Sequence, residues 1–582
     1  MPEPVRYVIS FPEPATHYAL VEALLPSAGR ASVEVFLPVW TPGSYLIREY
    51  SRHLEGIEVT SPEGKPLEFS KVSRNRWRFQ TEGQVEIRFS YRVYCREMSV
   101  RSNWVEDSFA LLAGAATFVT LTDGQHLPHD VTLILPDNWK TSMTGLSEAP
   151  DLAPHHYLAP DYDTLIDSPI TAGNPEIHFF RVAGIPHYLV NEGGAGDWDG
   201  ARAASDVEKF IEVCQTFWGS LPYQKYLFLN MITEAGGGLE HHNSVCMMTS
   251  RWSTSTRKAY LGWLDLASHE FFHVWNVKRL RPVELGPFDY ENENYTRCLW
   301  VAEGVTDYYA SLIVRRAGLS TPQEYLTGVN SEGGLSGIIQ KLQTTPGRLA
   351  QSLEEASFDA WIKLYRPDEN TINTTISYYT KGTVVAWLLD ARIRRVTGGA
   401  KSLDDLMRLA YARWSGERGF TAQEFKAAAE EIAGVSLREF FSRNVETAGE
   451  LDYSEALEWF GLRFKTSSSE GRKGWFGIET KVDGGRLVVT KIPRSTPAWI
   501  AGINVDDEIL ALDDYRVKPD QFSKRLENYL PGREVSVLVA RREKLQRINV
   551  TLGEEPGKQW QLEQQPEASA KQRENFRVWL NA

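Results

Sequence analysis

The hydrophobic period of this 582-residue chain changes twice along its length, so no single class of fold can accommodate all of it. Over residues 1–170 apolar and polar residues alternate. In Val85-Glu-Ile-Arg-Phe-Ser-Tyr-Arg-Val93 they swap at every step, as a half-buried antiparallel strand requires. Residues 33–36 and 131–135 behave in the same way, with Pro and Gly between them as turn signals. From about 250 to 450 the period becomes helical, with helices expected over 257–279, 299–317, 383–396, 403–414 and 422–433. A mixed segment, 171–250, leads into them. Short strands return from about 455, at 487–490 and 535–539. The expectation is an α+β multidomain chain, since a single core rarely grows to this length. An N-terminal antiparallel β domain is expected over 1–170, an α-rich central domain over 171–452 and a β domain over 453–553. A polar tail, 554–582, would end in a loose helix.

Composition narrows the partners. The 63 basic and 76 acidic residues give a net charge of −13, and no Lys/Arg block is long enough to form a footprint for nucleic acid or anionic lipid. Cys95, Cys214, Cys246 and Cys298 are scattered, with neither CxxC spacing nor the density of a disulfide scaffold, and read as buried small residues. The N-terminus lacks a basic start followed by an apolar core, and no run approaches the ~18 apolar residues of a membrane span. No membrane insertion is expected. The compartment reads as cytoplasmic by default, or periplasmic if a leader has been removed.

One segment carries chemistry. His269-Glu270-Phe-Phe-His273 lies inside an expected helix, where residues i and i+4 share a face. Both imidazoles can then reach one ion while Glu270 points beside them, as a general base for a metal-activated water. A catalytic zinc needs three protein ligands and an open position. Downstream, Glu303 and Asp307 are again i and i+4, in apolar surroundings set by Trp300, Val301 and Tyr308. Glu303 is the expected third ligand, with Asp307 accepting a hydrogen bond from a ligand imidazole. The 29 residues between His273 and Glu303 contain Pro282, Gly286 and Pro287, read as an inserted loop, with Glu284, Glu291 and Glu293 as rival ligands.

Together with two further segments these residues resemble a known family. His269-Glu-Phe-Phe-His273, Trp300-Val-Ala-Glu303-Gly-Val-Thr-Asp307, Gly236-Gly-Gly-Leu-Glu240-His and Tyr378-Tyr-Thr-Lys-Gly382 occur in the order found in the glycyl aminopeptidases, gluzincin zinc peptidases that carry an appended PDZ domain. The resemblance implies a thermolysin-like catalytic domain and one Zn²⁺ per chain. It also implies a substrate strand at Gly237 and Gly238, and Glu240 as the carboxylate that holds the free α-ammonium group. Leu239 and His241 depart from the Met and Asn of related aminopeptidases. Tyr379 aligns with a tyrosine that donates to the oxyanion, and Tyr378 is the alternate. Gly474-Trp-Phe-Gly-Ile-Glu479 and Thr496-Pro-Ala-Trp-Ile-Ala-Gly502 resemble the carboxylate loop and following turn of a PDZ domain, which can bind a peptide C-terminus or serve as a packing module.

The reading is a zinc aminopeptidase acting on peptides with a free N-terminus and, by family resemblance, preferring glycine or alanine there. A zinc endopeptidase with PDZ-mediated recruitment is the second reading. A PDZ binding protein with a relic site is the third.

Overall fold

Alternation sorts the side chains of the N-terminal strands onto two faces, and the inward faces meet. The computed structural model describes residues 3–194, 196–331, 333–465, 473–555 and 560–581. In strand Glu86–Tyr94 the side chains of Ile87, Phe89, Tyr91 and Val93 are buried while their neighbours are wet. This strand sits between Tyr18–Pro26 and Leu54–Thr60 in a seven-stranded sheet. A four-stranded sheet supplies Trp77 and Phe79 to the same core. N-terminal β structure is therefore present as expected.

The chain forms two compact units, which are described separately. The first comprises Met1–Tyr295, Tyr309–Ser320 and Arg408–Thr421; the second comprises Thr296–Tyr308, Thr321–Met407 and Ala422–Ala582.

Besides the β structure, the first unit contains a five-stranded sheet: β1 (Glu176–Val182), β2 (Ile185–Glu192), β3 (Tyr226–Ile232), β4 (Gly237–Glu240) and β5 (Ser244–Thr249), in the order β1-β2-β3-β5-β4. The three central strands are parallel and the two outer ones antiparallel. Every residue of β3 and β5 is buried, so neither shows alternation, and this is why the sequence reads only as mixed here. Helix α1 (Gly200–Trp218) makes the crossover from β2 to β3. It starts at Asp199, whose side chain accepts from Arg202 N, and stops at Gly219 with φ of 83°. Helix α2 (Arg257–Phe272) begins at Thr256, whose hydroxyl accepts from Ala259 N. It ends seven residues earlier than the expected 279, because the chain after Phe272 turns tightly with Lys278 N bonded to His273 O and Leu280 N to Trp275 O.

A π-helical turn of the second unit, Trp300–Gly304, runs directly into α3 (Val305–Arg316), whose residues from Tyr309 onward are counted with the first unit. Helix α4 (Tyr378–Val396) begins five residues before the expected 383, because the Ser377 hydroxyl accepts from Thr380 N and caps it there. A six-stranded sheet spans residues 479–551 around Val535, Val537, Val539 and Val550. Strands Leu462–Phe464 and Leu562–Gln564, on either side of it in sequence, pair with each other. Helix α5 (Ala570–Leu580) is docked rather than loose: Trp579 and Leu580 are fully buried although the surrounding sequence is polar. Among the described residues no helix is long and apolar enough to cross a membrane, and all four cysteines are buried.

Candidate active site

In the first unit, α2 carries His269, Glu270 and His273 at its C-terminal end, with His273 as the cap. The Nε2 atoms of the two imidazoles lie 3.0 Å apart. His273 Nδ1 lies 2.7 Å from the carbonyl of Asn276, a bond it can make only as the N–H donor. In the neutral ring the Nε2 lone pair therefore points toward His269. Two ring nitrogens converging in this way fit a shared divalent cation, and the carbonyl fixes the tautomer, as second partners of ligand histidines commonly do.

Strand β4 runs alongside. Gly237 has φ of +118°, and a Cβ on Gly238 would come within 2.1 Å of Glu270 Oε1, so neither position tolerates a side chain. Glu240 ends the strand and is buried. A carboxylate oxygen of Glu240, one of Glu270 and a ring nitrogen of His273 lie within 4.8 Å of one another. Two buried carboxylates so close favour a cation between them.

Two features brace Glu240. A Cβ on Gly43, whose φ is +86°, would come within 2.6 Å of both Glu240 carboxylate oxygens, so the turn at Pro42–Gly43 covers that carboxylate closely. Beyond Glu240, Asp167 accepts from His241 Nδ1 (3.1 Å), Lys278 Nζ (2.7 Å) and His242 N (2.8 Å). Burial works against the Asp167 charge, but Lys278 and His241 outweigh it and hold its carboxyl well below the usual carboxylate range. This clamp ties the end of β4 to the segment that follows His273. A cavity of about 610 Å³ adjoins Glu240, with Tyr45, Asp167 and Lys278 also in its wall. His269, Glu270 and His273 do not line it, so it is not the space above the imidazoles.

In the second unit Glu303 lies on the π turn and is buried, and Asp307 follows one turn later. Gly304 and Gly382 explain the glycines of their two motifs. A Cβ on Gly304 would sit 2.6 Å from Gly382 Cα, so α4 crosses the π turn glycine to glycine. Tyr379 occupies the first turn of α4. Burial, and then the Glu303 charge, raise its phenol well above the ordinary value of 10.0, so it stays a donor. Tyr378 stacks on it with ring centroids 4.7 Å apart and is fully buried. Of the rival carboxylates, Glu291 is engaged by Arg76 Nε (2.7 Å) and Asn75 Nδ2 (3.0 Å), and Glu284 is exposed.

Comparison with known families bears directly on this arrangement. The Peptidase M61 N-terminal domain matches residues 6–174, the M61 glycyl aminopeptidase domain residues 262–385 and a PDZ domain residues 474–552. The chain belongs to the M61 glycyl aminopeptidase family. Membership places it among the metallo-aminopeptidases, which are hydrolases. Its fold is similar to that of an aminopeptidase N family protein from Idiomarina loihiensis, with a TM-score of 0.91 and 27% identity over 99% of this chain and 100% of that one. It is also 27% identical over 190 residues to a probable periplasmic serine endoprotease DegP-like protein of Brucella suis biovar 1 (strain 1330). That match covers 30% of this chain and 36% of the Brucella protein, so the chain spans about a third of the length of the curated relatives it matches.

Four residues of the M61 chain's site escape a reading of motifs. Asn276 acts through its carbonyl, which any residue type supplies. Gly43 and Asp167 lie 70 or more residues before β4 and signal nothing locally. Arg101 is one of many arginines in the N-terminal region and lies in a turn between strands, yet its Nη2 reaches Gly238 O at 3.4 Å. Only His241, standing where related aminopeptidases have Asn, hints that a different partner waits for it.

Proposed function

We propose that this chain is a zinc-dependent aminopeptidase that hydrolyses the first peptide bond of peptides with a free N-terminus, preferring glycine or alanine there. The observation that carries the reading is the cluster of Glu240, Glu270 and His273 within 4.8 Å. An α-ammonium group and the carbonyl of its own residue are two bonds apart. A substrate whose ammonium pairs with Glu240 can therefore present only its first carbonyl to Glu270.

The proposed ligands are His269, His273 and Glu303, each of which offers one ligand atom, with Asp307 steadying a ligand imidazole. When bound, the ion supplies Lewis-acid polarisation of the carbonyl and acidification of water. Glu270 takes the proton of the attacking water and returns it to the departing amine, a role that contributes about 10²–10⁴-fold in rate for groups of this kind. Tyr379, kept protonated, donates to the developing oxyanion. Gly237 and Gly238 let the peptide backbone approach β4 closely. Family resemblance supports the small first residue, and the Pro42–Gly43 turn against Glu240 narrows the room beside it. The PDZ domain is proposed to receive a peptide C-terminus.

The test compares glycyl- and alanyl-anilides with their N-acetylated forms, using a Glu270→Gln variant and chelator-treated protein as controls. Cleavage of the free-amine substrates alone, lost in both controls and restored to the chelated sample by zinc, is expected. Equal cleavage of blocked substrates would make the enzyme an endopeptidase.

A further inference from the structure

Strand β4 has an anion at one end and a cation at the other. Glu240 closes the strand, while at Gly237 and Gly238 the guanidinium of Arg101 approaches from the N-terminal β structure. Its Nη2 is 3.4 Å from Gly238 O, and its Nη1 would be 3.8 Å from a Cβ on Gly237. The backbone of Arg101 is held on both sides, its N–H donating to Ser99 Oγ (3.2 Å) and its carbonyl accepting from Tyr50 OH (2.8 Å). The guanidinium is nevertheless underused. Among the described residues Nε is buried without a hydrogen-bond partner, no carboxylate pairs with the side chain, and the one hydrogen bond to Gly238 is long. Five N–H donors in a rigid fork, half-buried and unpaired, suit a carboxylate.

We infer that Arg101 is a specificity-determining residue that receives the α-carboxylate of a dipeptide substrate, so that the enzyme favours zwitterionic dipeptides. The inference rests on the proposed aminopeptidase reading and deepens it. Lengths support it. From Gly238 to Glu240 the strand advances two residues, about 7 Å, and an extended dipeptide spans at most about 7 Å. With its ammonium at Glu240 and its first carbonyl before Glu270, a dipeptide laid along β4 ends beside Arg101. A longer peptide places an uncharged amide there and leaves the guanidinium unpaired.

The experiment measures kcat/KM for glycyl-phenylalanine and for glycyl-phenylalanine amide, which differ only in the terminal charge, in the wild-type, Arg101→Met and Arg101→Lys proteins. The wild type is expected to favour the free acid by about ten- to a hundredfold, the scale of a charge-assisted hydrogen bond. Arg101→Met should bring the ratio close to one and Arg101→Lys should keep part of it, the change appearing mainly in KM. A wild-type ratio near one with both substrates cleaved would overturn the inference and leave the aminopeptidase intact. A preference undiminished in folded Arg101→Met would also overturn it. The wild-type ratio is decisive even if a variant fails to fold, and failure to cleave either substrate would sink the aminopeptidase reading and this inference together.

Discussion

At the scale of single residues, the site is a set of buried charges whose pairing decides what can bind. Tyr379 keeps its proton because burial and Glu303 disfavour the phenolate. Under the proposed mechanism Tyr379→Phe removes the oxyanion donor and is expected to lower kcat by about 10²–10³-fold with little change in KM. Steady-state kinetics on a glycyl-anilide would reveal this, and an unchanged kcat would assign the oxyanion donor elsewhere. Away from the chemistry, Glu192 at the end of β2 is buried, and burial pushes its carboxyl from 4.5 up to about 7, opposed by the Gly193 N–H and reinforced by Glu106. One of its oxygens has no partner among the described residues, as suits the protonated form. Because the folded-state pKa is raised, its contribution to stability is complete below 4.5 and is lost as pH rises toward 7. Denaturant midpoints measured across that window should fall in the wild type and fall less in Glu192→Gln. Parallel curves would show that another group is responsible.

At the scale of elements, glycines and caps place the functional side chains. The crossing of Gly304 and Gly382 sets how closely the turn carrying Glu303 and the helix carrying Tyr379 approach, and a methyl group at either position would have backbone atoms within 3 Å. The cap at Ser377 starts α4 early enough for Tyr379 to be helical. Helix α5 is held by Trp579, which packs on Phe460 with ring centroids 4.2 Å apart, while its Nε1 donates to Tyr308 OH (2.8 Å) and that hydroxyl donates to Asp390 (2.7 Å). Trp579→Ala should cost about 3–5 kcal/mol of stability, measured by urea unfolding followed by circular dichroism. A loss under about 0.5 kcal/mol, the range of ordinary surface substitutions, would mean that the helix is not docked in solution.

At the scale of the whole molecule, the two units each have internal logic. In the first, the sheet that carries β4 and the helix that carries the imidazoles are joined through Asp167, Lys278 and His241. In the second, the PDZ domain is tied to the helical region through Asn373, which donates to Ile492 O (3.0 Å) and accepts from Arg494 N (2.6 Å). The sequence alone determined the order of β, α-rich and β regions, because hydrophobic period is a local property. It also identified His269, Glu270, His273 and Glu303 as candidates, because their spacing forms short helical patterns, while Glu240 and Tyr379 became candidates through the family resemblance of their motifs. Other features depend on contacts between distant segments, and these only the tertiary structure decided: the early end of α2, the docking of α5, the bracing of Glu240 by Gly43 and Asp167, and the approach of Arg101 to β4. Short-range patterning cannot encode them, since each depends on which surfaces the folded chain brings together.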